Sequence, residues 1–166
     1  RDRSVSRGLG DVYKRQHYHY AELAKQLIDE GYQVVLFGSA KDHEAGNEIL
    51  AALNTEQQAW CRNLAGETQL DQAVILIAAC KAIVTNDSGL MHVAAALNRP
   101  LVALYGPSSP DFTPPLSHKA RVIRLITGYH KVRKGDAAEG YHQSLIDITP
   151  QRVLEELNAL LLQEEA

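Results

Sequence analysis

Residues 82–106 read AIVTNDSGLMHVAAALNRPLVALYG, and this stretch decides the fold. Its first part, residues 82–85, is a short apolar run with β-branched side chains, which suits a buried parallel strand. Residues 86–89 interrupt that run with side chains that favour turns and helix N-caps. Residues 90–97 have helical spacing and small alanines, and residues 101–104 form a second apolar run. The stretch therefore predicts a strand–helix–strand unit of a parallel α/β sheet.

The polar turn inside this unit carries the strongest functional signal. A turn at the carboxyl end of a strand, opening a helix, points free backbone N–H groups and the positive end of the helix dipole toward the crevice where α/β sheets bind ligands. Gly89 would let an anion approach the backbone, and Asp87 or Ser88 can cap the helix. His92 follows Ser88 by four residues and shares its face. The alternative is a plain helix cap followed by a surface histidine.

Four short motifs extend this signal into a family resemblance. They are TNDSGLMH at 85–92, AAAL at 94–97, RP at 99–100 and LYGPS at 104–108. Together they closely resemble the donor-binding signature of the ADP-heptose:lipopolysaccharide heptosyltransferases, glycosyltransferase family 9. Enzymes of this family have the GT-B architecture, two Rossmann-like halves with the active site between them. The resemblance runs from residue 17 to residue 166 and covers only the C-terminal, donor-binding half.

The resemblance implies a reaction and its partners. The expected activity transfers L-glycero-D-manno-heptose from ADP-heptose to a heptose of the lipopolysaccharide inner core in Gram-negative bacteria. The family's general base is expected on the missing N-terminal half, so we expect no catalytic residue in this chain and no transfer by the chain alone. No cofactor is implied, and the sequence leaves a divalent cation such as magnesium open.

The resemblance also implies a set of donor-binding residues. In addition to the turn around Asp87, it includes an acidic residue that accepts hydrogen bonds from ribose, at the position of Glu44. A carboxylate suits that task because it only accepts hydrogen bonds. A first-turn acid favoured by the helix dipole is the alternative, and Asp42 competes for the role. The full predicted set is Asp87, Ser88, Gly89, Leu90, His92, Glu44, Thr68 and Gly38.

Thr68 and Gly38 lie in two other predicted loops. Residues 66–70, GETQL, resemble the family's Gly-x-Thr/Ser-x-Leu turn, whose backbone passes the adenine. Thr68 is also a natural N-cap for the next helix, with Asp71 as its capping-box partner, and we expect capping to be its main role. Gly38 and Ser39 follow the predicted strand 33–37, where the crevice of a doubly wound sheet would lie.

The remaining elements follow from hydrophobic periodicity. Helices are predicted over residues 20–30, 42–53 and 71–80, the last largely buried. Residues 107–115 contain four prolines and predict a stiff loop, which we expect to form a wall of the donor or acceptor pocket. A last strand is predicted over residues 121–125. A C-terminal helix begins at Thr149-Pro150, and its apolar stripe, expected to be partly exposed, consists of Val153, Leu154, Leu157, Leu160 and Leu161.

Composition predicts a single soluble, cytoplasmic domain. The chain has 166 residues, 45% of them hydrophobic, and a net charge of -3 that gives no basic field for nucleic acid. No apolar run approaches the length of about 20 residues that spans a bilayer, although peripheral contact with the inner face of the inner membrane is compatible with the resemblance. Cys61 and Cys80 have no metal-ligand spacing, and His118, His130 and His142 are isolated, so no metal site is expected.

Residues 1–16 differ in character from the rest. They are basic, contain two glycines and show neither helical nor strand periodicity. Residues 11–16, DVYKRQ, resemble a translated adapter or cloning scar. We therefore predict a disordered, non-native segment over 1–16 and a donor-binding domain over 17–166. The family's phosphate-binding lysine would fall near Lys14 and Arg15, but the flanking residues depart from the family pattern.

Two other classes remain open. One is another nucleotide-sugar enzyme of GT-B architecture, a UDP-sugar glycosyltransferase or an epimerase. The other is a non-enzymatic, flavodoxin-like α/β domain in which the Asp-Ser-Gly turn only caps a helix. The absence of GxGxxG after the first predicted strand argues against a dinucleotide oxidoreductase.

Overall fold

The computed structural model describes residues 4–8, 17–126 and 143–166. Within these residues, parallel strands form one six-stranded sheet in the order β3-β2-β1-β4-β5-β6. The strands are β1 Ser4–Gly8, β2 Gln33–Phe37, β3 Cys61–Asn63, β4 Ala82–Asn86, β5 Leu101–Tyr105 and β6 Ala120–Arg124. This is the strand order of a doubly wound nucleotide-binding sheet. The predicted α/β fold class is confirmed.

Helices connect the strands and lie on both faces of the sheet. They are α1 His17–Asp29, α2 His43–Ala51, α3 Thr55–Gln58, α4 Leu70–Ala79, α5 Gly89–Ala96, α6 Gln143–Ile146 and α7 Pro150–Glu165. A 3-10 turn, Ala40–Asp42, precedes α2. The chain leaves α1 through Gly31, whose φ of 89° places it in the left-handed region that glycine adopts without strain.

Alternation along the strands builds two apolar cores. Ala82 and Val84 of β4 belong to a cluster formed with α1, α2 and α7, whereas Ile83 belongs to a cluster formed with α4 and α5. Every residue of β4 and of β5 is buried. Strands covered on both faces are typical of parallel sheets, and this explains why the two segments are continuously apolar.

The C-terminal helix α7 begins as predicted. The Thr149 side chain accepts a hydrogen bond from the N–H of Arg152 at 3.2 Å, and Pro150 occupies the first turn. All five residues of the predicted stripe are buried, with Leu157 at 0% exposure. The expectation that part of the stripe is exposed was therefore wrong. The stripe is buried because α7 packs on α1, β5 and β6 of this chain.

Strand β1 places residues 4–8, which belong to the segment predicted to be disordered, in the sheet. Ser4 pairs with Gln33 of β2, and Val5 pairs with both Val34 of β2 and Ala82 of β4. The segment is therefore a central strand of the sheet. Its sequence, SVSRG, carries a single strongly apolar residue, so its place depends on the hydrogen-bonding edges of two neighbours rather than on its own pattern.

Helix α4 is less buried than its apolar sequence predicted. Within the helix only Ala73 and Ile77 are buried. Leu70, Ile75 and Leu76 are 68%, 69% and 38% exposed. Apolar side chains on several faces of a helix favour burial, but in this helix most of them remain accessible to solvent. The prediction of a largely buried helix was wrong.

Some predictions concern residues beyond the described ranges. Lys14, Arg15, His130 and His142 lie outside the described residues. In the part of the chain that is described, no helix combines the length and the apolar character needed to cross a bilayer.

Candidate functional site

The candidate site lies at the carboxyl edge of the sheet, beside β1 and β4. The chain runs outward from β1 through β2 to β3, and then returns through α4 to place β4 on the other side of β1. Doubly wound sheets bind ligands at the carboxyl ends of strands where the order reverses in this way. The turn that follows β4 contains Asp87 and Ser88 and leads into α5 at Gly89.

The turn is held in place from both sides. The Asp87 N–H donates to the carbonyl of Leu104 at 3.2 Å, which continues the β4–β5 ladder. The Tyr20 hydroxyl of α1 donates to Asn86 Oδ1 at 2.6 Å. The buried Thr85 hydroxyl donates to the Asn86 carbonyl at 2.9 Å. Because backbone and side-chain bonds on two faces fix it, the turn presents a preformed surface.

The predicted helix capping is absent. Ser88 occupies the N-cap position in an extended conformation, with φ -158° and ψ 169°, yet its side chain makes no capping hydrogen bond. The Ser88 hydroxyl instead lies 3.3 Å from the Thr85 hydroxyl. The Asp87 carboxylate accepts a hydrogen bond from the Thr113 hydroxyl at 3.0 Å. The expectation that Asp87 or Ser88 caps α5 was therefore wrong, because both side chains bond elsewhere.

The N-terminus of α5 is consequently open. Helix geometry leaves the N–H groups of the first turn, those of Gly89 and Leu90 among them, without partners inside the helix. The first turn contains no acidic residue. A Cβ added at Gly89 would meet nothing within 4 Å. Uncapped N–H groups, the helix dipole and free space together make this end of the helix suitable for an anion.

A proline-rich loop borders the turn, as the sequence predicted for residues 107–115. The Thr113 carbonyl accepts a 2.5 Å hydrogen bond from the hydroxyl of Tyr105, the last residue of β5. Tyr105 is fully buried, and its hydroxyl also lies 3.3 Å from Met91 Sδ. Burial, and to a lesser extent the negative charge of Asp87, raise the Tyr105 pKa well above its usual value, while the bond to Thr113 acts in the opposite direction. The phenol therefore stays neutral and keeps its proton.

An open pocket adjoins the N-terminus of α5. It contains three of the predicted site residues, Gly38, Thr68 and Leu90, which come from three separate segments of the sequence. Its full lining is Phe37, Gly38, Ser39, Thr68, Gln69, Leu70, Ala73 and Leu90. Apolar side chains line much of it, and hydroxyl and amide groups lie at its border. Such a surface suits a flat, partly polar ring.

The loop after β2 closes one side of this pocket and is bonded internally. Asp42 is 3% exposed, and its Oδ2 accepts hydrogen bonds from the N–H and the hydroxyl of Ser39, each at 2.8 Å. A Cβ at Gly38 would lie 2.8 Å from Asp42 Cβ, so glycine is needed for this close approach. Asp42 is therefore a buried structural acid, whereas Glu44 is exposed.

Thr68 does not cap α4. The helix begins at Leu70, and Gln69 occupies the N-cap position, where its N–H donates to Gln72 Oε1 at 2.9 Å. The predicted capping box of Thr68 and Asp71 was wrong by one residue. The side chain that accepts a hydrogen bond from the N-cap backbone is that of Gln72, and the N-cap residue is Gln69. Half-buried Thr68 is thereby left in the pocket lining.

Five of the eight predicted residues lie outside the pocket lining, namely the turn residues Asp87, Ser88 and Gly89, together with Glu44 and His92. Glu44 is exposed in the first turn of α2, and His92 is exposed on α5. The structure leaves both accessible to a ligand without bringing them into contact with Thr68 or Leu90. Among the described residues, no group of His, Cys, Asp and Glu side chains has the arrangement of a metal site. Cys61 and Cys80 are buried, and the Cys80 thiol donates to the Leu76 carbonyl at 3.2 Å.

The predicted site does not include Leu70, Thr113 or Tyr105, which the structure places in this region. Leu70 lines the pocket, Thr113 bonds to Asp87, and Tyr105 supports Thr113. The GETQL motif already included Leu70, and the proline spacing indicated the loop. No local pattern indicated that a threonine 26 residues after Asp87 would meet its carboxylate.

A doubly wound parallel sheet with a pocket and an open helix N-terminus at its carboxyl edge is typical of nucleotide-binding α/β domains. The model of glycosyltransferase family 9 (heptosyltransferase) matches residues 14–142. Lipopolysaccharide heptosyltransferase 2 of Escherichia coli K12 is 96% identical over 158 residues, which are 95% of this chain and 45% of that protein. The chain belongs to glycosyltransferase family 9.

Solved structures agree with this assignment. The structure of E. coli ADP-heptose lipopolysaccharide heptosyltransferase II matches with a TM-score of 0.90 and 83% identity, over 99% of this chain and 48% of that one. A family 9 glycosyltransferase from Veillonella parvula matches with a TM-score of 0.84 and 28% identity, over 98% and 46%. The chain thus has the fold of one part of a GT-B enzyme and spans about half the length of the relatives it matches.

Proposed function

We propose that this chain is the donor-binding half of a heptosyltransferase, which binds ADP-L-glycero-D-manno-heptose for transfer to the lipopolysaccharide inner core. The observation that carries the proposal is the continuity between the pocket and the open N-terminus of α5, since Leu90 belongs to both. An apolar pocket beside free backbone N–H groups is the combination that a nucleoside diphosphate requires.

The adenine is proposed to occupy the pocket. Leu70 and Leu90 offer apolar surface to the ring, and the turn around Thr68 offers polar groups to its edge. Gly38 forms the closed side, where the buried Asp42 leaves no room for a larger residue. Glu44, exposed at the start of α2, is proposed to accept hydrogen bonds from the ribose hydroxyls, a role for which an acceptor-only group is suited.

The diphosphate is proposed to bind the N-terminus of α5. The N–H groups of Ser88 and Gly89 would donate to phosphate oxygens, and His92, one turn further along the exposed face, would donate another hydrogen bond. When the bond from the sugar to the β-phosphate breaks, negative charge grows on that phosphate. Donors that are already oriented stabilise this charge without reorganisation.

Asp87 is proposed to contact the sugar rather than the phosphates. A carboxylate would repel a diphosphate, and Asp87 does not cap α5. Hydroxyl groups of the heptose are therefore its natural partners, because they can donate to it. The general base for the acceptor hydroxyl is proposed to lie on a separate N-terminal half. The chain alone would bind the donor without transferring heptose, and the whole enzyme would act at the cytoplasmic face of the inner membrane.

Calorimetric titration of the 166-residue chain with ADP and with UDP tests this proposal. We expect ADP to bind and UDP to bind more weakly. His92→Ala should weaken ADP binding. His118→Ala is the matched control, since His118 is also exposed but precedes β6 at the opposite edge of the sheet.

Each other outcome has a definite meaning. Equal or tighter binding of UDP would favour a UDP-sugar enzyme. No binding of either nucleotide by a chain that is folded by circular dichroism would contradict the donor-binding role. Transfer of heptose from ADP-heptose to an acceptor by the purified chain would contradict the proposal that the general base lies on a separate N-terminal half.

A further inference from the structure

The carboxylate of Asp87 has a single side-chain partner among the described residues. Thr113 Oγ1 donates to Asp87 Oδ2 at 3.0 Å. The same hydroxyl lies 3.4 Å from the Ser109 carbonyl, but it has one proton, and the nearer, charged acceptor forms the stronger bond. One oxygen of Asp87 is therefore held by the loop, and its other oxygen is left for a ligand.

Thr113 is itself held at its backbone. Its N–H donates to the Ser109 carbonyl at 3.2 Å, and the N–H of Phe112 donates to the same carbonyl at 3.1 Å. Ser109 is 4% exposed, so this turn has a fixed base. The Thr113 carbonyl accepts the bond from Tyr105 at the end of β5. The hydroxyl of Thr113 is thus positioned by the sheet, although the residue is exposed.

We propose that Thr113 is a positioning residue for donor recognition. Its hydroxyl fixes the Asp87 carboxylate so that the free oxygen accepts a hydrogen bond from a hydroxyl of the donor sugar. This inference rests on the proposed function, and it adds the β5–β6 loop to the specificity of the site. It assigns to Thr113 a part in discriminating the sugar and none in binding the nucleotide.

The proposal predicts an effect on one ligand and not on the other. Thr113→Val keeps the volume of the side chain and removes the hydroxyl, whereas Thr113→Ser keeps the hydroxyl. Titrations with ADP and with ADP-heptose should show that Thr113→Val weakens ADP-heptose binding by about three- to tenfold, the range expected for the loss of one ordinary hydrogen bond. ADP binding should be unchanged, and Thr113→Ser should bind ADP-heptose like the wild type.

The outcomes separate this inference from the proposed function. Unchanged ADP-heptose binding by Thr113→Val would overturn the positioning role. Equal weakening of both ligands would also overturn it, since it would reflect a general loss of loop structure. A wild-type chain that binds neither ligand would contradict the proposed function, and the bond between the two side chains is then tested without a ligand.

That second test is a double-mutant cycle of unfolding in urea. The chains are the wild type, Thr113→Val, Asp87→Ala and the double variant. We expect Thr113→Val to cost less stability when Asp87 is already absent, because the bond has then lost its acceptor. Additive effects of the two substitutions would show that the side chains are not coupled, and would overturn the proposal.

Discussion

Two loops at the carboxyl edge of the sheet have similar composition, but the aspartate of one is bonded within its own loop and the aspartate of the other is bonded to a different loop. The loop after β2 and the turn after β4 each contain a serine and an aspartate, and each opens a helix. Asp42 is buried and its acceptor is occupied by Ser39 of the same loop. Asp87 bonds to Thr113 of a different loop, and the helix that follows it stays uncapped. Polar composition at a strand end therefore does not distinguish the two loops, whereas the hydrogen bonds of each aspartate do.

Substitution of the two aspartates is expected to give the largest difference in the free energy of unfolding. Asp42→Ala should lower the free energy of unfolding by about 2–3 kcal/mol, because it removes charge-assisted bonds to Ser39 in a buried place. Asp87→Ala should cost less than about 1 kcal/mol, since its one bond is to an exposed threonine. Urea denaturation measures both. Similar costs would remove the distinction between a structural and a ligand-facing acid.

The two glycines of these loops sharpen the comparison. Gly38→Ala places a Cβ 2.8 Å from Asp42 Cβ and should cost about 1–3 kcal/mol through overpacking. Gly89→Ala faces open space and should change stability by less than about 0.5 kcal/mol. Thermal or urea unfolding checks the pair. A large cost at Gly89 would mean that the space in front of α5 is filled by the protein itself.

Tyr105 gives a smaller effect with a defined pH dependence. Tyr105→Phe removes the bond to the Thr113 carbonyl and should cost about 1 kcal/mol at neutral pH. Because the folded state raises the Tyr105 pKa, the phenol contributes stability that is complete below its ordinary pKa of about 10 and declines as the pH rises above that value.

The pH dependence is checked by measuring unfolding free energies of both chains from about pH 8 to pH 11. The difference between wild type and Tyr105→Phe should shrink above about pH 10. A difference that stays constant across this range would show that Tyr105 titrates normally in the folded chain.

Much of the fold was predictable because its signals are local. The strand–turn–helix–strand unit of residues 82–106 and the start of α7 at Thr149 were predicted correctly from apolar runs, turn residues and capping chemistry. The family motifs indicated Thr68 and Leu90, and the end of the predicted strand 33–37 indicated Gly38. The structure brings all three into one pocket. Their role in binding a donor remains a prediction.

The errors share a physical origin in contacts between distant segments. The sequence SVSRG does not show that β1 lies between β2 and β4, because that position depends on two neighbouring ladders. The capping role expected of Asp87 failed because Thr113, far along the chain, takes its carboxylate. The burial expected of α4 failed because no described segment covers Ile75 and Leu76, which remain exposed.

The central claim is that the N-terminus of α5 binds the diphosphate of the donor. Titration of ADP into the Gly89→Pro and Gly89→Ala chains tests it most directly. Proline is favoured at the first position of a helix, which Gly89 occupies. A residue that precedes proline favours an extended conformation, and Ser88 already has one, so α5 should be preserved in Gly89→Pro. Proline removes the N–H group, whereas alanine keeps it.

We expect Gly89→Pro to bind ADP at least about tenfold more weakly than Gly89→Ala, because a backbone donor to a charged phosphate is lost. Circular dichroism and unfolding in urea should show both chains folded with similar stability. Equal ADP affinity of the two folded variants would contradict the claim that the N–H groups of α5 hold the phosphates.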